Sequence, residues 1–159
     1  MELIEKIAER CEELTAGILC DNPAEPSGAQ IPINIFEYAP VRPRDDDNSQ
    51  YDVTREARYQ GTPMIVIRLA GETGQAVTVQ IYCSIFSNDD YRAGMQKLSE
   101  IAAELKKILS IQGHYAGYKP RQDFVIQYGD DDACQPVPVF EFFLNIAFFG
   151  GDLIYKNNI

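Results

Sequence analysis

Ala76-Val77-Thr78-Val79-Gln80-Ile81-Tyr82-Cys83-Ser84-Ile85-Phe86 alternates without a break. Val77, Val79, Ile81, Cys83 and Ile85 share one parity, and Thr78, Gln80, Tyr82 and Ser84 share the other. Successive side chains of an extended backbone point to opposite faces, so this run is a strand with one buried face. Just before it, Pro63 opens Met64-Ile65-Val66-Ile67-Arg68-Leu69, rich in β-branched and long apolar residues, and Gly71-Glu72-Thr73-Gly74 supplies a turn. The two runs predict a β-hairpin with strands near 63–70 and 75–86.

A sheet with one apolar face needs a cover, and the flanking sequence offers two helices. After Phe86, Ser87-Asn88-Asp89-Asp90 has the composition of a helix start, where hydroxyl and carboxylate oxygens meet orphan N–H groups. Tyr91, Met95, Leu98, Ile101, Ala102, Leu105, Ile108 and Leu109 then recur at three- and four-residue steps. Lys106 and Lys107 sit near the expected negative end, and Gly113 is the stop, which predicts a helix over 88–112. At the N-terminus, Leu3, Ile4, Ile7, Ala8, Cys11, Leu14 and Ile18 form a second stripe opposite Glu2, Glu5, Glu9, Glu12 and Glu13, a helix over 2–19. Pro23, Pro26 and Gly28 end it.

Three further strands are expected. Ile31, Ile33 and Ile35 alternate near 31–38, and Pro32 marks an edge, since it has no N–H to give a neighbour. Phe124 to Tyr128 suggest a short strand at 122–128. Phe140, Phe142, Leu144, Ile146 and Phe148 lie on one face of a long strand at 137–149. The expected fold is α+β, in the order α-β-ββ-α-ββ. Two helices pack on one face of a mostly antiparallel sheet of about five strands, in a single domain spanning 1–159.

Residues 40–62 form one long polar connection. Its charges are Arg42, Arg44, Arg55 and Arg58 against Asp45, Asp46, Asp47, Asp52 and Glu56. Mixed charge of this kind can fix register between subunits. Arg42, Arg44, Asp45, Asp46, Asp47, Arg55 and Arg58 are therefore the candidate assembly surface.

Composition narrows the function classes. The chain has 159 residues, 45% hydrophobic and 11% aromatic, a globular composition, and a net charge of -10. Acids outnumber bases 24 to 14, which argues against tight nucleic-acid binding, because that affinity comes from Lys and Arg on phosphates. No apolar run has the length of a membrane span, and Met1-Glu2-Leu3-Ile4-Glu5 is unlike a secretory leader, so a cytoplasmic origin is expected. Cys11, Cys20, Cys83 and Cys134 show no C-x-x-C pair and are read as reduced, buried thiols. His114 is the only histidine and has no nucleophile or orienting acid marked beside it. Asp45-Asp46-Asp47 and Asp130-Asp131-Asp132 are consecutive, whereas hard-cation loops use alternate positions, so solvated turns are the expectation. No glycine run has a phosphate-binding pattern. The chain is thus expected to be no enzyme and to hold no metal or cofactor.

One stretch is similar to a known family. Thr62-Pro63-Met64-Ile65-Val66-Ile67-Arg68-Leu69, the Gly-Glu-Thr-Gly turn and Ala76-Val77-Thr78-Val79-Gln80-Ile81-Tyr82 come first. Ser84-Ile85-Phe86-Ser87-Asn88-Asp89-Asp90 leads into a helix with Leu98-Ser99-Glu100-Ile101, and Gln135-Pro136-Val137-Pro138-Val139-Phe140 precedes the last strand. This resembles the small tail-terminator or tail-completion proteins of tailed phages and prophages, over a little more than half the chain. The resemblance implies an α+β subunit of a ring, typically hexameric, at the head-proximal end of the tail. There it would end the tail tube, contact tube and head-connector proteins, and have no catalytic residues. In such a ring an acidic wall, with Asp130, Asp131 and Asp132 as candidate lining, would let DNA slide without sticking. The region before residue 62 does not follow the family pattern. The rival readings are another neck or minor tail protein of similar fold, and an acidic module that inhibits a host protein.

Overall fold

The computed structural model describes residues 1–25, 27–38, 62–87, 91–110, 114–129 and 139–150. Helix α1 spans Glu2–Thr15. Short strands β1 (Leu19–Cys20) and β2 (Ile31–Pro32) pair with each other. β3 (Asn34–Glu37), β4 (Met64–Glu72), β5 (Val77–Phe86), β6 (Tyr118–Tyr128) and β7 (Val139–Gly150) form a five-stranded sheet. Helix α2 (Tyr91–Leu105) continues into a 3-10 turn at Lys106–Leu109.

The sheet order is β3-β4-β5-β7-β6, with every contact antiparallel except β3 on β4. Both helices lie on one face. α1 packs over β3 and β4 and touches α2, α2 packs over β5 and β7, and the 3-10 turn reaches β6. The fold is the expected α+β arrangement. The register explains the core: Ile65 faces Cys83, which faces Phe142, and Ile67 faces Ile81, which faces Leu144. Those six side chains are fully buried, and Leu3, Ile4, Ile7, Leu98, Ile101 and Leu105 from the two helices close over them. At roughly 1.5–3 kcal/mol for each large apolar side chain fully buried, this layer supplies most of the drive to fold.

Several boundaries differ from the sequence reading, each for a local reason. α1 ends at Thr15 rather than near 19, and Thr15 turns its hydroxyl back to the Cys11 carbonyl at 2.8 Å. Leu19 and Cys20 then leave the helix to pair with Ile31 and Pro32. The expected strand at 31–38 is therefore split between two sheets. Its second piece, β3, is the edge of the large sheet.

β4 runs on to Glu72 past an irregularity between Leu69 and Gly71. The turn falls at Thr73–Ala76, where the Thr73 hydroxyl accepts the N–H groups of Gln75 and Ala76. β6 begins at Tyr118, not 122, because a tight turn starts it. Tyr115 and Tyr118 exchange both backbone hydrogen bonds at 2.9 Å, with Ala116 at φ 52 and Gly117 at φ 84. Positive φ at both central residues gives the twist that a two-residue hairpin turn needs. Pro120 is tolerated in β6 because the strand is an edge, and the pairing slips between Pro120 and Phe124.

The end of the α2 layer is tied to this strand. The Tyr115 hydroxyl donates to the Ile108 carbonyl at 3.1 Å, and the Gln122 amide donates to the Leu109 carbonyl at 2.8 Å. These bonds satisfy carbonyls that a helix terminus leaves without partners.

Candidate functional site

The face of the sheet away from the helices is built from the alternate residues of the same strands. Row by row across the sheet, Arg68 lies beside Gln80, Asn145 and Val125, and Val66 lies beside Tyr82, Phe143 and Gln127. The first row is a hydrogen-bonded ladder. The Arg68 guanidinium donates through Nε to Gln80 Oε1 at 2.8 Å, and Gln80 Nε2 donates to Asn145 Oδ1 at 3.3 Å. In the second row the Tyr82 and Phe143 rings stack with centroids 4.9 Å apart. The Tyr82 hydroxyl crosses to the next row and donates to the Glu141 carboxylate at 2.6 Å. Burial, then that bond to Glu141, raises the Tyr82 pKa well above its ordinary value, so the phenol stays protonated at any physiological pH.

This face is graded along the strands. At one end Met64, Ser84, Phe86 and Val139 are buried, and Ser84 shares a hydrogen bond with the buried Thr62. Toward the other end Val125 is 58% exposed and Phe149 40% exposed. Its middle holds half-buried amides and aromatic rings beside the exposed Arg68, the mixture of apolar and polar surface that protein partners cover.

The two edges of the sheet differ in charge. A groove of about 500 Å³ runs between α1 and β3, lined by Glu5, Glu9 and Glu12 of the helix and Glu37 of the strand. At the other edge, Lys106 lies over the Phe124 ring at 5.7 Å from its centroid, and Lys119 and Arg121 project from β6. Arg121 pairs with Asp123 at 3.2 Å.

The assembly residues expected from sequence, Arg42, Arg44, Asp45, Asp46, Asp47, Arg55 and Arg58, lie outside the described residues, as do Asp130, Asp131, Asp132 and Cys134. His114 is exposed. Cys11, Cys20 and Cys83 are free and buried, as expected. Burial pushes the Cys11 thiol up to about 12 and Cys20 to about 11, and holds Cys83 well above the ordinary range, so none supplies a thiolate near neutral pH. Among the described residues no group of three or more His, Cys, Asp or Glu could hold a metal ion, and no helix is long and apolar enough to cross a membrane.

Sequence reasoning passed over the ladder and the Tyr82–Glu141 pair. Gln80 and Tyr82 were visible as the outward parity of a strand, but their partners lie 65 and 59 residues away, and only the register brings them together. Comparison with protein-family models and with curated proteins returned no match to this chain.

Proposed function

We propose that this chain is a structural tail-assembly protein of a tailed phage or prophage, similar to tail terminators. In this reading its copies close a ring at the head-proximal end of the tail, end the tube and join it to the head-connector proteins. The observation that carries the reading is the sheet itself. One face is fully committed to the core, while the other presents an amide ladder and stacked rings with no helix over them among the described residues. A two-layer scaffold whose second face mixes rings, amides and a few charges suits a part whose work is to fit against other subunits, and the resemblance at residues 62–149 points to the tail. The chain is made in the host cytoplasm and ends in the virion on this account, and its work needs no enzyme chemistry or cofactor.

The test is electron microscopy of tail tubes, polymerised from the tube protein of the same phage, with and without this protein. Rings seated on one end of the tubes, with tube growth stopped, support the proposal. Tubes that grow unaltered and bare in excess protein would overturn it, and salt-sensitive 1:1 binding to a basic host protein would favour the inhibitor reading instead.

A further inference from the structure

We infer that the ring closes by head-to-tail pairing of unlike sheet edges, with β3 of one copy beside β6 of the next. The inference rests on the proposed ring and adds its interface.

The backbone geometry comes first. Asn34 donates to the Pro63 carbonyl at 2.9 Å and Tyr38 to the Ile67 carbonyl at 2.6 Å, so the even positions of β3 face β4. The N–H and C=O groups of Ile35 and Glu37 therefore face out from the sheet edge, where a further strand would lie. The opposite edge, β6, is eleven residues long and equally lacks a neighbour on its outer side among the described residues.

Strand directions fit. β3 runs with β4, and three antiparallel steps through β5 and β7 leave β6 running against β3. Rotating a copy about an axis near the strand direction keeps those directions. The junction between β3 and the neighbour's β6 is then antiparallel, the more stable pairing. A single edge paired with itself would stop at a dimer, whereas two unlike edges give the heterologous contact that a ring requires.

Charge selects the same partner. The groove beside β3 presents Glu5, Glu9, Glu12 and Glu37, and the edge at β6 presents Lys106 from the helix layer and, from the strand, Lys119 and Arg121, the latter paired with Asp123. In the paired sheet the helix layers of two copies abut, so the acidic flank of α1 meets the Lys106 side of the neighbour. Two β3 edges, or two β6 edges, would set like charges together, which discourages the wrong pairing.

Sedimentation velocity of the full chain and two variants tests this. One variant reverses the acidic edge (Glu9→Lys, Glu12→Lys, Glu37→Lys), and the other reverses the basic edge (Lys106→Glu, Arg121→Glu). The wild type should associate. Each variant alone should associate about a hundredfold more weakly, because its own junction now sets like charges together. A 1:1 mixture should recover association, because each variant then offers the edge that the other needs. Hydrogen exchange of the wild type gives an independent reading: the Ile35 and Glu37 amides should slow at least about tenfold on association.

Wild-type association that neither variant weakens, with unchanged exchange at Ile35 and Glu37, overturns the edge pairing and leaves the ring intact. A wild type that stays monomeric at every concentration and beside tail tubes overturns both. If a variant fails to fold, as seen by circular dichroism, the exchange result decides.

Discussion

Strand β7 carries two different sets of side chains. Toward the helices it sends Phe140, Phe142, Leu144, Ile146 and Phe148, all buried. Toward the open face it sends the buried Val139, then Glu141, Phe143, Asn145 and Ala147, each half-buried, and the exposed Phe149. Backbone, strand position and neighbours are shared, so the difference lies in what covers each side. The helix-facing set is apolar throughout because it must exclude water. The open set mixes ring, amide and carboxylate, and it keeps its polar atoms paired sideways within the sheet. The first side has the chemistry of a core, and the second that of a surface that, on the proposed reading, meets other subunits.

The neighbouring pair Phe142 and Phe143 gives the sharpest way to break this comparison. Phe142→Ala should cost on the order of 3–5 kcal/mol in chemical denaturation, the usual range for a core aromatic. Phe143→Ala should cost only about 1 kcal/mol, mainly its stacking on Tyr82. Equal losses would show that the open face is as much a core as the covered one.

A glycine gives the next largest effect. A Cβ at Gly94 of α2 would stand 2.3 Å from the Phe140 ring, so the helix lies this close to the sheet only because that position has no side chain. Alanine is the better helix former, yet Gly94→Ala should destabilise the protein by about 1–3 kcal/mol through overpacking. A stabilised variant in thermal melts would mean that α2 does not press on β7 as described.

The smallest effect is on pH dependence, and it reports on the buried thiols of the core. Burial raises the Cys11 and Cys20 thiols from 9.0 to about 12 and about 11, under the helices. In the folded state they hold protons that the unfolded chain has already lost. Their contribution is complete below about pH 9 and declines as pH rises toward those values. Melting temperature should therefore fall between about pH 9 and about pH 11. Cys11→Ser and Cys20→Ser variants, compared with their own values at neutral pH, should show a shallower fall. An unchanged slope would deny that these thiols are desolvated in the core.

The regular elements were legible because each carries its own periodicity. The alternation from Val77 to Phe86 and the stripe from Leu98 to Leu105 each require a cover, and together they imply the two layers. What stayed hidden depends on pairing between distant segments. Gly94 is an ordinary weak point in a helix until Phe140 is placed beneath it. The strand expected from 122 begins at Tyr118, and only its position at a sheet edge makes Pro120 harmless within it. The Arg68–Gln80–Asn145 ladder is assembled by register alone. Of the candidate site, the charged residues chosen from sequence fall outside the described residues, while the open face was present in the sequence only as the polar half of two strands.

The central claim is that the open face is for contact and not for folding, and Asn145→Arg tests it most directly. The substitution puts a flexible cation at the centre of that face, from which it can reach solvent. Unfolding free energy should fall by no more than about 2 kcal/mol, the scale of losing the hydrogen bond from Gln80, so the variant stays folded. The measurement is the fraction of tail tubes that bear a ring on one end, counted by electron microscopy. The account predicts that the variant loses most of the capping seen with the wild type. Capping at the wild-type frequency by the folded variant would contradict it.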